Sequence, residues 1–313
     1  MAILSTNGTF GDTDTVTSTK LNNIANAATF DDPVDETTLE LITTGTDSGK
    51  LRVKTSGVGT TQIAPSAVTF SKLAIGVVSD SYISGGIISP NSGAPTTTID
   101  VTKVDCISSD GTQLFTVSAA SLNVTTNVNW ASGTAPTLTD LSVHLWADYN
   151  AGSPRYLLDN ATGSNISGAK RRVASFLLDG SGHIIDFTSF ALAGGGYEIR
   201  WNSGGILDDS GTAQVDSVIT VSAPTGFNFL VSITAYHQAS TNPTTLRIAS
   251  GFLAAASATL GEIFLQASSN SLYSSTLGFV YTDTSAQVRK KISSNDSAVT
   301  QIVNTGYIDE RTF

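Results

Sequence analysis

Histidines, acids and basic runs are the side chains in this sequence with the chemistry to act on a ligand. Its three histidines are His144, His183 and His237. None has the H-E-x-x-H spacing that sets two imidazoles on one metal. His144 and His237 lie in alternating apolar and polar runs, as partly buried polar residues of strands do, and His183 follows a turn. Adjacent acids occur at Asp31–Asp32 and Asp208–Asp209. A glycosidase needs two carboxyls roughly 5–10 Å apart, one of them with a raised pKa. Both acid pairs sit among Gly, Pro and Ser, where Asp stabilises a turn through its own backbone, so neither is assigned catalysis. There is no P-loop and no G-x-S-x-G elbow, and Gly194–Gly196 reads as a turn. Cys106, the single cysteine, has no basic neighbour in "VDCIS" and reads as a small buried apolar residue. No enzyme activity, cofactor or metal is implied.

Two basic runs remain, "KRR" at 170–172 and "RKK" at 289–291. Lys and Arg on a strand edge discourage edge-to-edge pairing, and that role, or an ion pair between subunits, is expected of both. Contact with an anionic cell-surface polymer is the alternative. The chain as a whole carries a formal charge of −10, which repels phosphate, so no nucleic-acid partner is expected. The N-terminus lacks a basic start and a long apolar run, so no signal peptide is read there. No stretch approaches the ~20 apolar residues of a membrane helix, so no membrane insertion is expected.

The elements that must position these side chains are short strands. Only 13% of the 313 residues are charged, about half the usual share. Thr, Val, Ile and aromatics suit a pleated strand, while Gly, Asn, Asp and Ser suit turns. The expected fold is all-β, with a short helix at about 18–28 following a polar N-terminus. Next, "TLELITTGTDSGKLRVKT" reads as a hairpin: Leu39 and Leu41 alternate with Glu40, and Leu51 and Val53 with Arg52. A hexapeptide recurs as "VTSTKL" at 16–21, "VGTTQI" at 58–63 and "VTFSKL" at 68–73. Each copy offers one Val and one Ile or Leu, too little to close a core, and an isolated hairpin is marginal in water. Leu39, Leu41, Leu51, Val53, Val58, Ile63, Val68 and Leu73 are therefore expected to form an interwound stem completed by sister chains, most simply a homotrimer. Beyond residue 80, short alternating strands with frequent turn signals suggest antiparallel β-sandwich lobes. The expected divisions are 1–36, 37–79, 80–203 and 204–313, the last boundary resting on the turn-rich "SGGILDDSGT".

Four stretches resemble bacteriophage fibre proteins, in the same order. The run 38–73 resembles a stem in which a "GKLRVKDGG" hairpin precedes "TTAKIADGAVTTAKL"-like decads. "AKRRVASFLLDGSGHIIDFTSF" (169–190), "YEIRW" (197–201) and "NTGYIDERTF" (304–313) are similar to segments of a tail-fibre C-terminal region. The resemblance implies a virion protein, assembled in the bacterial cytoplasm. Residues 1–36 would dock to other virion proteins, and the C-terminal lobe would meet a host glycan or receptor without turnover. Within that lobe, aromatic rings to stack on sugars and amides to bond their hydroxyls are offered by Tyr236, His237, Gln238, Asn242, Asn270 and Tyr273. A head or collar fibre, an adaptor docking a separate spike and a glycan depolymerase are the alternatives.

Overall fold

The structure is a computed structural model. It describes residues 3–5, 15, 17–19, 29–31, 39–41, 46, 51–53, 58, 63, 68, 82–192, 196–212, 216–240, 242–252, 263–267, 273–293 and 297–311. The chain divides into two units, Met1–Thr69 and Phe70–Phe313.

The leading unit contains two short antiparallel pairs. β1 (Ile3–Ser5) lies against β2 (Thr29–Asp31). β3 (Leu39–Leu41) lies against β4 (Leu51–Val53), with Leu39 opposite Val53, Glu40 opposite Arg52 and Leu41 opposite Leu51. The hairpin expected from the sequence thus has its two strands paired, and Glu40 opposite Arg52 favours the pairing. Of the helix expected at 18–28, Ser18 and Thr19 are helical and the rest lies outside the described residues.

The second unit begins with two small sheets. One is formed by β5 (Ile83–Gly85), β8 (Val104–Ile107) and β9 (Leu114–Val117). The other is formed by β6 (Ile88–Pro90), β7 (Thr98–Val101) and β10 (Ala120–Asn123). A third sheet places β11 (Ser142–Asn150) between β12 (Ser153–Asp159) and β13 (Ala169–Leu177). The sequence suggested alternating exposure along 141–149, but β11 is buried on both faces from Val143 to Asp148. Phe227 covers its second face, packing edge-on to His144 with ring centroids 5.0 Å apart and also contacting Trp146.

Two larger sheets follow. The six-stranded one runs β14 (Phe187–Ala191), β15 (Tyr197–Trp201), β23 (Ser297–Asp309), β18 (Leu230–Ala239), β21 (Tyr273–Tyr281), with β16 (Ile206–Asp209) also on β23. The four-stranded one runs β17 (Asp216–Thr220), β22 (Gln287–Ile292), β19 (Thr244–Ser250), β20 (Ile263–Ala267). Among the described residues all of the strand ladders are antiparallel. The larger sheets approach closely where Gly278 of β21 meets β20; a Cβ there would lie 2.6 Å from the Ile263 side chain.

The boundary expected at 203/204 is not a division of the fold. One apolar core runs from Ile83 to Tyr307 and includes residues from both sides of it. β15, before the boundary, pairs with β23, more than a hundred residues later. The turn-rich 203–212 stretch is a tight turn leading into β16, which returns onto the same β23. The residues around 180 also form a turn, with Gly182 N donating to Asp179 O at 2.9 Å. The two strands that flank it, β13 and β14, enter different sheets.

Candidate functional site

The densest polar chemistry in the second unit is internal. Arg172 on β13 makes a two-pronged ion pair with Asp309 on β23, at 2.6 and 2.8 Å, with both side chains almost fully buried. Tyr197 donates its hydroxyl to the same carboxylate at 2.9 Å, and Arg311 its backbone N–H at 2.8 Å. Tyr307 donates to the Ser175 carbonyl at 2.5 Å, and Ser175 N donates to the Tyr197 oxygen at 2.6 Å. The Arg311 guanidinium reaches the Gly85 and Gly86 carbonyls at 2.7 and 3.2 Å and lies over the Tyr197 ring. Burial pushes the Asp309 carboxyl up, but the Arg172 charge and the converging hydrogen bonds outweigh it and hold the carboxyl below its ordinary range. Held by these converging hydrogen bonds, the pair fixes one arrangement of β13, β15 and β23.

Within this network the His144 Nδ1 lies 2.9 Å from Ser175 Oγ, the spacing of a nucleophile and its base. Both residues are buried, so no substrate reaches the hydroxyl. Burial, reinforced by the Arg172 charge, pushes His144 down to about 4, leaving it neutral at ordinary pH. The Ser175 hydroxyl also accepts from Arg172 at 3.1 Å. The constellation is structural.

The acid pair Asp208–Asp209 is divided between separate partners. Asp208 accepts from Ser222 N and Oγ at 3.0 and 2.6 Å, and burial pushes it up to about 6. Asp209 pairs with Lys290 at 2.6 Å. Asp31 lies on β2, and Asp32 lies outside the described residues. Among the described residues no group of three or more His, Cys, Asp or Glu has the arrangement to hold a metal.

The edge-strand role expected of the basic runs is not what the structure shows. Arg171 and Arg172 are buried, and Lys170 donates to the carbonyls of Gly163 and Ile166. "RKK" lies on β22, an interior strand between β17 and β19. Period-two alternation splits it: Lys290 points inward to Asp209, while Arg289 pairs outward with Asp216 at 3.0 Å.

The expected receptor residues are not grouped on one loop. Tyr236, His237 and Gln238 belong to β18, which continues to Ala239. His237 is buried between Thr300 and Thr244 hydroxyls, Gln238 is nearly buried, and neither offers its side chain to a ligand. A β-strand sends alternate residues to opposite faces, and of the three only Tyr236 is exposed. Tyr273 begins β21, opposite Gln238. Asn242 is exposed beyond the strand end, and Asn270 lies outside the described residues.

Tyr236 shares the outward face of the six-stranded sheet with Phe190, Leu207, Leu277 and Phe279, all exposed. Near its centre is a groove of about 340 Å³ lined by Glu198, Arg200, Ser232, Thr234, Leu277, Phe279 and Thr305. The Arg200–Glu198 ion pair, at 2.7 Å, stands beside it, with the guanidinium over the Phe190 ring. Such a face can bind by shape, apolar contact and hydroxyl hydrogen bonds.

Of the expected stem residues, Leu39, Leu41 and Leu51 lie on β3 and β4. Val53, Val58, Ile63 and Val68 recur every five residues and are 53%, 48%, 39% and 50% exposed. Leu73 lies outside the described residues.

No protein-family model matches the chain, and no curated protein matches it.

Proposed function

We propose that this protein is a structural fibre of a bacteriophage virion, most simply a tail fibre. In this reading it assembles as a homotrimer through residues 37–79 and attaches to a host-surface glycan without turnover. Other virion proteins hold its N-terminal segment. The observation that carries the reading is the meeting of three separate landmarks of the fibre resemblance in one buried network. "KRRVAS" supplies Arg172 and Ser175, "YEIRW" supplies Tyr197, and "GYIDER" supplies Tyr307, Asp309 and Arg311. Motifs that share contacts belong to one architecture, so their ordered occurrence supports a likeness of whole heads.

The five-residue series of exposed apolar side chains supports the oligomer. Single exposed apolar residues are ordinary, whereas contiguous exposed apolar surface marks a site of contact, and in this reading the series lies along the seam between sister chains. The expected mass in solution by light scattering is three times that of the chain. Reconstruction of the phage particle tests the reading as a whole. It is expected to resolve three copies projecting from the tail, with the N-terminal segment on the particle. Density for this chain inside the capsid shell, or its absence from purified virions, would overturn the proposal.

A further inference from the structure

The four-stranded sheet turns a face to solvent whose charge is opposite to that of the chain. Arg247 on β19 is directly opposite Lys291 on β22 on one side and Phe264 on β20 on the other. Directly paired residues of an antiparallel sheet share a face, so two cations and an aromatic ring stand in one row. The Arg247 guanidinium lies 5.2 Å from the Phe264 ring centroid, and that ring is 51% exposed. Asp216, next in the row beyond Lys291, is engaged by Arg289. Among the described residues neither Arg247 nor Lys291 has a carboxylate in ion-pair range. A groove of about 230 Å³ opens here, lined by Thr245, Arg247, Lys291 and Ser293.

Like charges directly opposite each other destabilise a sheet. This pair stands on a chain of net charge −10, where fixed acids outnumber bases. The row therefore holds repulsion that a bound anion would relieve. The neighbouring groups narrow the choice of anion. A hydroxyl side chain, Thr245, lines the same groove, and an exposed aromatic face stands at its rim. These complement the hydroxyls and the apolar face of a sugar ring.

We propose that this groove binds an acidic sugar unit of a polysaccharide. Its carboxylate or phosphate lies between Arg247 and Lys291, and its ring lies against Phe264. This deepens the adhesive reading above and rests on it for the biological role of the site. A single surface contact of this kind is weak and screened by salt. Repetition in an oligomer multiplies it through effective concentration.

The test uses the full chain, immobilised polysaccharides and biolayer interferometry. The panel is a polyuronate, a phosphate-linked teichoic acid and neutral dextran. Binding is expected to the polyuronate, the teichoic acid or both, and not to dextran, with the preferred polymer distinguishing carboxylate from phosphate. Raising salt from 0.05 to 0.5 M should weaken it. The double variant Arg247→Gln/Lys291→Gln should lose about tenfold or more in affinity, as expected for removing charge-assisted hydrogen bonds. Phe264→Ala should lose several-fold, Lys291→Arg should retain binding, and the melting temperature of each variant should stay at the parent value. Unchanged binding by a folded double variant, or equal binding to dextran, overturns the site. Failure to bind either acidic polymer also overturns it. If the labelled protein still adsorbs to host cells in any of these cases, the adhesive reading survives. Loss of cell adsorption as well would remove both.

Discussion

In Met1–Thr69, four apolar side chains at five-residue spacing stand 39–53% exposed, while in Phe70–Phe313 Ile88, Ile99, Val143, Leu145, Phe176, Phe229 and Ile248 are all fully buried. The same residue types thus meet opposite fates within one chain. The second unit closes one core across five sheets and can neutralise an internal charge such as Asp309 with its own Arg172. The first has antiparallel pairs of three-residue strands, and pairs that short do not stand alone in water. The difference teaches where a closed core lies among the described residues, and on the proposed reading sister chains complete the leading unit.

The largest effect is expected at the ion pair. Arg172→Ala leaves the Asp309 carboxylate buried without its partner and should cost about 3–5 kcal/mol in denaturant unfolding. The apolar double variant Arg172→Met/Asp309→Leu should recover much of that. Loss of less than about 1 kcal/mol in the single variant would mean that water reaches the network and that the head is less closed than described.

A smaller effect should follow His144. Its folded pKa, about 4, lies below its ordinary 6.5. The folded protein therefore binds fewer protons than the unfolded chain between those values. The stabilisation is present above pH 6.5 and is lost as pH falls to about 4, by up to about 3 kcal/mol. His144→Asn should flatten this acid limb, and an unchanged slope would remove His144 from the account. Asp208 should act in the opposite direction and more weakly. Its pKa is raised to about 6, so its contribution is present below its ordinary 3.8 and lost as pH rises through 6. Asp208→Asn should make stability above pH 6 higher relative to that at pH 4.

The smallest change in head stability is expected from the stem. Val58→Asp with Ile63→Asp should leave head unfolding within about 0.5 kcal/mol of the parent, as surface changes do. The same variant should fall from three chain masses toward one in light scattering. A mass that does not move would break the contrast between the units, as would a monomeric parent.

Local structure was legible from the sequence because it rests on short-range pattern. The β class and the Leu39–Leu41 and Leu51–Val53 pair follow from alternation and turn residues. Sheet order was not legible, because it depends on partners far apart in the chain. "RKK" looked like edge protection until β22 was placed between β17 and β19. "GGILDDSG" looked like a boundary because turn chemistry does not reveal that the next strand returns to the same sheet. Tyr236, His237 and Gln238 are consecutive in the sequence, but strand parity sets His237 on the opposite face from Tyr236 and Gln238. The Arg247–Lys291–Phe264 row lies across three strands, and only "RKK" hinted at it.

β23 also bears on how the protein is made. It lies inside the six-stranded sheet, with β15 and β16 on one side and β18 on the other, and it brings Asp309 to Arg172. The ribosome delivers it after every other described strand. Until residue 309 emerges, the nascent head has a gap at its centre and two unzipped strand edges, which are templates for mispairing. Closure must then wait for residues 306–309 to reach Tyr197–Arg200, and pairings this distant are slow to form. A stop codon at the start of β23 would leave those edges open and yield an aggregation-prone fragment.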